Sequence, residues 1–290
     1  MLEKALPPIR TYEARDGKSL CYRHYEATSG KVVILLHGIS EDGQYLHPLA
    51  EFISGKGLAQ VVVPDLRGYG FHPVRRGDVE YVGQHDHDLE DLVNWLQSRS
   101  GVDLDFIMAG HSGGGGNAIR LARHRLAARI GGYLLLAPEV HPDAPIRHKK
   151  EPWSDTQVDK LRFNVLSVLN ALGLRFWNGW TVLRRDKPSE RRHGRETLEL
   201  SYRLLRSRTP SSKYQKQLRA MTQPTLVLVG EKDEVFQPGQ YAPLFAECVQ
   251  AKVALIRDSD HDGILSDRAA LREVENWLQS LEKMRGKKDA

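Results

Sequence analysis

Cysteine is almost missing from this chain of 290 residues, in which Cys21 and Cys248 are the only two. They lie far apart and form no C-x-x-C pair. That excludes a disulfide-stapled scaffold, a cysteine zinc site and a dithiol redox motif. Long hydrophobic runs are missing as well, and nothing approaches the roughly 18 apolar residues that span a bilayer. The opening stretch Met1-Leu2-Glu3-Lys4-Ala5-Leu6-Pro7-Pro8 lacks the charged-then-apolar pattern of a signal peptide. A reducing cytoplasm is therefore the expected compartment. There is no internal repeat and no long low-complexity segment. There is no G-x-x-x-x-G-K-[ST] loop for nucleotide phosphates. No G-x-G-x-x-G turn is followed by an acidic residue about 20 positions on, as dinucleotide binding requires.

What is present is a large apolar fraction, 40% of residues, enough for one sizeable core or a core with an insertion. Short apolar runs predict strands near 19–25, 32–37, 61–64, 105–109, 133–137, 225–230 and 253–257. Amphipathic stretches predict helices near 45–55, 86–99, 116–125, 239–248 and 267–283. This alternation predicts an α/β fold, with a mostly parallel sheet covered by helices on both faces. The alternation stops between about 140 and 222. Pro142, Pro145 and Pro152 mark the exit, and no clear strand follows before Thr225. Within the break, Leu161, Val165, Val168, Leu169 and Leu172 recur at helical spacing and are closed by Gly173. Residues 196–206 read as a second helix. The expected division is a core of 1–139 and 223–290 with a helical cap, or lid, of 140–222.

The most informative stretch is Gly110-His111-Ser112-Gly113-Gly114. It fits G-x-S-x-G. The strand-like Asp105-Phe106-Ile107-Met108-Ala109 precedes it, and the helix-like Asn117–Arg123 follows. A strand that turns sharply into a helix leaves no room for side chains at the turn. Glycine relieves the crowding, and the serine hydroxyl is pushed clear of the sheet. Ser112 is thus the candidate nucleophile. A serine needs a base, and the base needs a group to orient it.

Twelve histidines compete for the role of base. His261 follows the strand-like Val253-Ala254-Leu255-Ile256, on a loop at the strand's carboxyl end. Asp233 lies in the loop after Thr225-Leu226-Val227-Leu228-Val229-Gly230, again at a carboxyl end, with Glu231 and Glu234 as competitors. Ligands of parallel sheets bind beyond these ends, so Ser112, Asp233 and His261 form the expected triad. The near-continuous apolar strand Lys31–Leu36 runs into His37-Gly38-Ile39. The backbone N–H groups of Ile39 and Gly113 are the candidate oxyanion donors. His111 is expected to pack behind the site. His85, Asp86, His87 and Asp88 read as a solvated helix start rather than a metal site, with acidic residues suited to the helix dipole.

On these residues the chain resembles the α/β-hydrolases. The resemblance rests on Leu36-His37-Gly38-Ile39, Pro64-Asp65-Leu66-Arg67-Gly68-Tyr69-Gly70, the Ser112 elbow, Val229-Gly230-Glu231-Lys232-Asp233 and Asp260-His261. His37-Gly38-Ile39-Ser40-Glu41 and the run at 83–88 are similar to the monoacylglycerol lipase and lysophospholipase branch. The resemblance implies a structural role for Asp65, and a lid over Ser112 at the break after the sixth strand. It also implies a serine hydrolase of carboxylic esters, acting on monoacylglycerols, lysophospholipids or small synthetic esters with no cofactor and no metal. The same triad also serves amide, thioester and C–C bond hydrolysis and acyl transfer. A non-catalytic hydrolase-like binding protein is the rival of another class, although a binder has no need of all three triad residues. The run Gly113 to Gly116 departs from expectation, since glycine is a poor helix former.

Charge is unevenly placed. Residues 143–222 hold 18 Lys+Arg and 8 Asp+Glu, a net +10; the whole chain is +5, so the remainder is −5. A basic lid suits either peripheral contact with anionic lipid or an ordinary solvated surface. No nucleic-acid motif accompanies the charge, and nothing in the sequence points to an oligomeric state. Trp153, Phe163, Phe176, Trp177 and Trp180 in the same segment either line an acyl pocket or form the lid's own core.

Overall fold

Strands that are apolar on every residue need cover on both faces, and the architecture supplies it. The computed structural model describes residues 5–148, 156–246, 248 and 250–286. The first part of the chain forms β1 (Ile9–Glu13), β2 (Ser19–Tyr25), β3 (Lys31–Leu36), α1 (His47–Gly55), β4 (Gln60–Pro64), α2 (Gln84–Arg99), β5 (Asp105–His111), α3 (Gly113–Leu121) and β6 (Ile130–Leu136). The segment 140–222 carries β7 (Thr156–Val158), α4 (Lys160–Ala171), β8 (Thr181–Arg185), β9 (Glu199–Ser201), α5 (Tyr202–Arg208) and α6 (Tyr214–Ala220). The chain then returns through β10 (Thr225–Gly230), α7 (Tyr241–Phe245), β11 (Ala251–Ile256) and α8 (Arg268–Gly286).

The main sheet has eight strands in the order β1-β2-β4-β3-β5-β6-β10-β11. It is parallel from β4 to β11, and β2 runs antiparallel to both neighbours. Alternate residues of each strand point to opposite faces. Ile34, Met108, Leu135 and Val227 therefore pack with Leu89, Leu92 and Ile119 on one side. Val33, Leu35, Ile107, Leu134 and Leu226 pack with Leu49, Ile53, Val274 and Leu278 on the other. Truncating any of these buried side chains to alanine typically costs ~2–5 kcal/mol. Register carries the site. Leu36 lies opposite Gly110, His111 opposite Leu136, and Gly230 opposite Ile256. The loops bearing Ile39, Ser112, Asp233 and His261 thus leave the sheet at one edge.

The structure departs from the sequence expectations in three places. Strand β1 has no counterpart among them: its burial alternates weakly, with only Tyr12 buried, because it is the outermost strand. The 140–222 segment contains strands as well as helices, with β7, β8 and β9 forming a separate antiparallel sheet. The helix predicted over 196–206 starts late. Glu196 accepts hydrogen bonds from the backbone N–H groups of His193 and Gly194 in a turn. Glu199 to Ser201 pair with β8, and the Ser201 hydroxyl caps α5 by accepting from Leu204 N–H at 3.1 Å. A serine cap fixes where a helix begins. Among the described residues no helix is long and apolar enough to cross a membrane.

Candidate active site

Strand β5 ends at His111, helix α3 begins at Gly113, and Ser112 makes the turn alone with φ 52° and ψ −120°. That conformation is costly for a residue with a Cβ. The surroundings hold it. Ser112 N–H donates to Leu136 O at 2.9 Å, and Ser112 O accepts from Glu139 N–H at 2.8 Å and Gly116 N–H at 3.3 Å. Three of the four glycines now have a steric account. A Cβ on Gly114 would collide with the Leu36 carbonyl, one on Gly115 would press into Pro138, and one on Gly116 would press into the Glu139 carbonyl. The first turn of α3 is clamped between β3 and the segment after β6 too closely for any side chain.

His261 and Ser112 line the same cavity, of about 1770 Å³, together with Tyr45, Glu139, Phe163 and Glu234. Asp233 is fully buried behind His261, and its Oδ2 lies 2.9 Å from His261 Nδ1. The other oxygen of Asp233 accepts from Val235 N–H and Phe236 N–H, both at 2.8 Å. The carboxylate is therefore held on both sides, and His261 Nδ1 is its donor. This leaves His261 Nε2 without a hydrogen-bond partner among the described residues. The Ser112 hydroxyl has no hydrogen-bond partner among the described residues, and catalytic bonds of this kind often form only with substrate in place. Phe236 packs edge-on against His261 with ring centres 5.4 Å apart.

Of the competing carboxylates, Glu234 reaches the backbone of His261. Its carboxylate accepts from the His261 backbone N–H at 3.1 Å. Asp233 is the carboxylate hydrogen-bonded to the imidazole ring of His261, at Nδ1. His111 sits behind the base, as expected. Its Nε2–H donates to the His261 carbonyl at 3.0 Å, and its Nδ1 accepts from the Tyr45 hydroxyl at 2.9 Å. Burial, with the His261 charge second, pulls the His111 pKa down to about 4. Tyr45 in turn accepts from Gly38 N–H at 2.7 Å. No motif in the sequence marks Tyr45, which lies on the 3-10 turn Gly43–Leu46 just before α1.

The turn after β3 is tied down from several directions. His37 Nδ1 donates to Gly38 O at 2.9 Å, and His37 Nε2 accepts from Leu66 N–H at 3.1 Å. Burial, with the Arg208 charge second, holds His37 well below the usual imidazole range. With both polar groups of Gly38 engaged, the next amide, Ile39 N–H, is left without a hydrogen-bond partner among the described residues. Gly113 N–H, first in α3, is free in the same sense. The two lie close together: a Cβ built on Gly113 would be 3.3 Å from Ile39 N. Asp65 acts as a clamp, accepting from Gly43 N–H at 2.9 Å and Phe71 N–H at 3.3 Å.

The run at 85–88 differs from a solvated helix start, because it is buried. His85 Nε2 donates to Arg67 O at 2.8 Å, and burial pushes its pKa down to about 3. Asp86 pairs with Arg120 and Asp88 with Arg67. Only His111, His261 and Asp262 among the described residues bring three ligating atoms within 4.8 Å of one another. Both ring nitrogens of His111, and Nδ1 of His261, are already engaged in the bonds given above.

Phe163 lines the cavity. Phe176, Trp177 and Trp180 fit neither an acyl pocket nor a lid core: Phe176 is 90% exposed, and the two tryptophans are also exposed. Trp153 lies outside the described residues. The apolar stripe of α4 is real but turned outward. Leu161, Val165, Val168 and Leu172 are all exposed, while Phe163, Asn164, Ser167 and Asn170 of the same helix face the cavity.

A family profile described as serine aminopeptidase, S33, matches residues 27–265. No curated protein matches the sequence. Solved structures share the fold at low identity. A thermophilic esterase from Thermogutta terrifontis is 21% identical, with 96% of this chain and 99% of that one covered at a TM-score of 0.65. A monoacylglycerol lipase from Paleococcus ferrophilus is 20% identical over 90% and 99%, at 0.68. A monoglyceride lipase from Saccharomyces cerevisiae is 19% identical over 98% and 97%, at 0.67.

Proposed function

This chain belongs to the serine aminopeptidase S33 family, an α/β-hydrolase lineage, and from that premise we propose that it is a serine hydrolase of carboxylic esters, with lipid monoesters as the favoured class. The observation that carries the reading is the Asp233–His261 pair, set in the same cavity as the strained Ser112 turn. His261 Nε2 takes the Ser112 proton as the hydroxyl attacks the ester carbonyl. The N–H groups of Ile39 and Gly113 receive the charge on the oxygen. His261 then returns the proton to the leaving alcohol. Water, activated by the same nitrogen, releases the acid from the acyl-enzyme. Asp233 keeps the proton on Nδ1, so that Nε2 stays basic.

We further propose the segment 140–222 as a cap, with 1–139 and 223–290 as the core that carries the chemistry. The family description favours one rival, amide hydrolysis at an amino terminus. A panel of p-nitrophenyl esters of rising chain length, run beside aminoacyl p-nitroanilides, separates the two. Ester turnover is expected to exceed anilide turnover by about a hundredfold or more. The reverse order would replace the ester reading with a peptidase one.

The lipid preference is supported by α4, whose inner face lines the cavity while its outer face is apolar and exposed. Phe176, Trp177 and Trp180 of the same segment are exposed as well, and the segment is strongly basic. An exposed apolar face on a segment of net positive charge suits an anionic lipid surface. Burying one phenylalanine side chain contributes roughly 1.5–3 kcal/mol. Phe176→Ser with Val168→Ser is therefore expected to lower hydrolysis of long-chain monoacylglycerol on anionic vesicles by about tenfold or more. Hydrolysis of a soluble short-chain ester should stay unchanged. Raising salt should likewise slow only the vesicle reaction, because roughly 0.15 M already screens charges beyond about 8 Å. Equal responses of both substrates to mutation and salt would leave the outer face as plain solvated surface.

A further inference from the structure

A buried guanidinium that forms no ion pair among the described residues stands behind the candidate oxyanion donors. Arg208 ends α5 and is 3% exposed. One of its nitrogens, Nη2, donates to the His37 carbonyl at 2.8 Å. Its guanidinium carbon lies 4.7 Å from the centre of the Tyr69 ring. The remaining nitrogens, Nε and Nη1, are buried with no hydrogen-bond partner among the described residues. No carboxylate among the described residues forms an ion pair with it. Glu139, which shares a small void with Arg208, Ile39 and Gly113, is engaged by Arg147. A buried charge is costly when it is neither paired nor fully hydrogen-bonded. This one is nevertheless placed where Gly113 leaves space for it, since a Cβ on Gly113 would lie 3.2 Å from Arg208 Nη2. The guanidinium, the Gly113 turn and Ile39 N–H thus meet at one point. The charge also reaches its neighbours: after burial, it is the next cause holding His37 and His85 in their neutral forms.

We propose that Arg208 is a positioning residue for the reaction, holding the His37-Gly38-Ile39 turn through the His37 carbonyl and setting a positive charge behind the developing oxyanion, with Glu139 Oε2 also beside the Gly113 turn. It does not touch the substrate. The proposal rests on the reading of Ser112 as nucleophile with Ile39 and Gly113 as oxyanion donors. A fixed charge in a dry setting acts on charge that appears in the transition state and little on a neutral ground-state carbonyl. The effect therefore falls on kcat and spares KM. It is sensitive to charge, so lysine should replace arginine better than glutamine does.

The test compares wild type, Arg208→Gln and Arg208→Lys on a soluble short-chain ester. Rates are normalised to active sites titrated with a fluorophosphonate, and melting temperature is recorded for each protein. Binding of a trifluoromethyl ketone, which forms an oxyanion on the serine, is measured alongside. Removing one oxyanion donor costs about 10²–10³ in other enzymes. Arg208 acts through such donors, so Arg208→Gln is expected to lose about 10- to 100-fold in kcat with KM within about threefold. Affinity for the ketone should fall by the same factor, and Arg208→Lys should lose less. The role is overturned if Arg208→Gln keeps kcat within twofold, if lysine and glutamine lose equally, or if ketone affinity does not follow kcat. Should Arg208→Gln not fold, Arg208→Lys decides. A matched fall in kcat and ketone affinity supports the role, and an unchanged kcat or unchanged ketone affinity overturns it. Ser112→Ala serves as the companion. Activity retained there removes the underlying reading, whereas activity lost there with Arg208→Gln unimpaired removes the role of Arg208 alone.

Discussion

Ser112→Ala is expected to lower ester turnover by about 10⁶, to the level left by binding and the oxyanion donors, as loss of a nucleophile does in other triads. The fold should survive. The Ser112 backbone is held by Leu136 O, Glu139 N–H and Gly116 N–H, and its hydroxyl has no partner among the described residues to lose. Alanine meets the same strain at φ 52° as serine does, so the melting temperature should stay within a few degrees of wild type. Fluorophosphonate labelling should vanish together with turnover. Half the wild-type rate in purified Ser112→Ala protein would move the nucleophile elsewhere. A protein that binds ester without turning it over, before or after mutation, would favour the non-catalytic rival.

The parallel sheet was legible because its strands are apolar on both faces. Runs such as Val32–Leu36 and Leu226–Val229 are hydrophobic without alternation, and only a strand covered on both sides tolerates that. The elbow was legible for a steric reason, since glycine at 110 and 114 is what a strand-to-helix turn demands. Register then brings Ser112 and His261 to one cavity, a consequence of parallel strands ending at the same edge. Edge strand β1 was not legible, because one buried residue in five gives no pattern. The direction faced by α4 was not legible either. Helical spacing says which residues share a side; it does not say whether protein, lipid or water lies against them. The ties among Gly38, Tyr45, His111 and the His261 carbonyl join residues up to 150 positions apart, and no local pattern encodes such contacts. Arg208 is harder still. Arginine is among the residue types least often fully buried, so a basic segment reads as surface until the structure places one of its charges inside.

Asp233→Asn is the second large expected effect, about 10⁴ in turnover, the size of the same change in other triads. The argument is one of tautomers. Asp233 Oδ1 already accepts two backbone N–H groups, from Val235 and Phe236. An asparagine side chain would keep its carbonyl oxygen there and turn its NH₂ toward His261 Nδ1. A donor facing Nδ1 forces the ring proton onto Nε2, where it blocks acceptance of the Ser112 proton. Geometry and packing would survive while the base is disabled, so KM and melting temperature should change little. Glu231→Gln is expected to be near neutral. Glu234→Gln is expected to cost no more than about tenfold, because a glutamine oxygen still accepts from the His261 backbone N–H at the position now held at 3.1 Å, a bond of the kind that contributes about 1 kcal/mol. Steady-state kinetics of the three variants decide the assignment. A severe loss at Glu234 beside a mild one at Asp233 would transfer the orienting role to Glu234. The ordering expected from the carboxylate that meets the imidazole ring is Asp233 first, Glu234 well behind and Glu231 last.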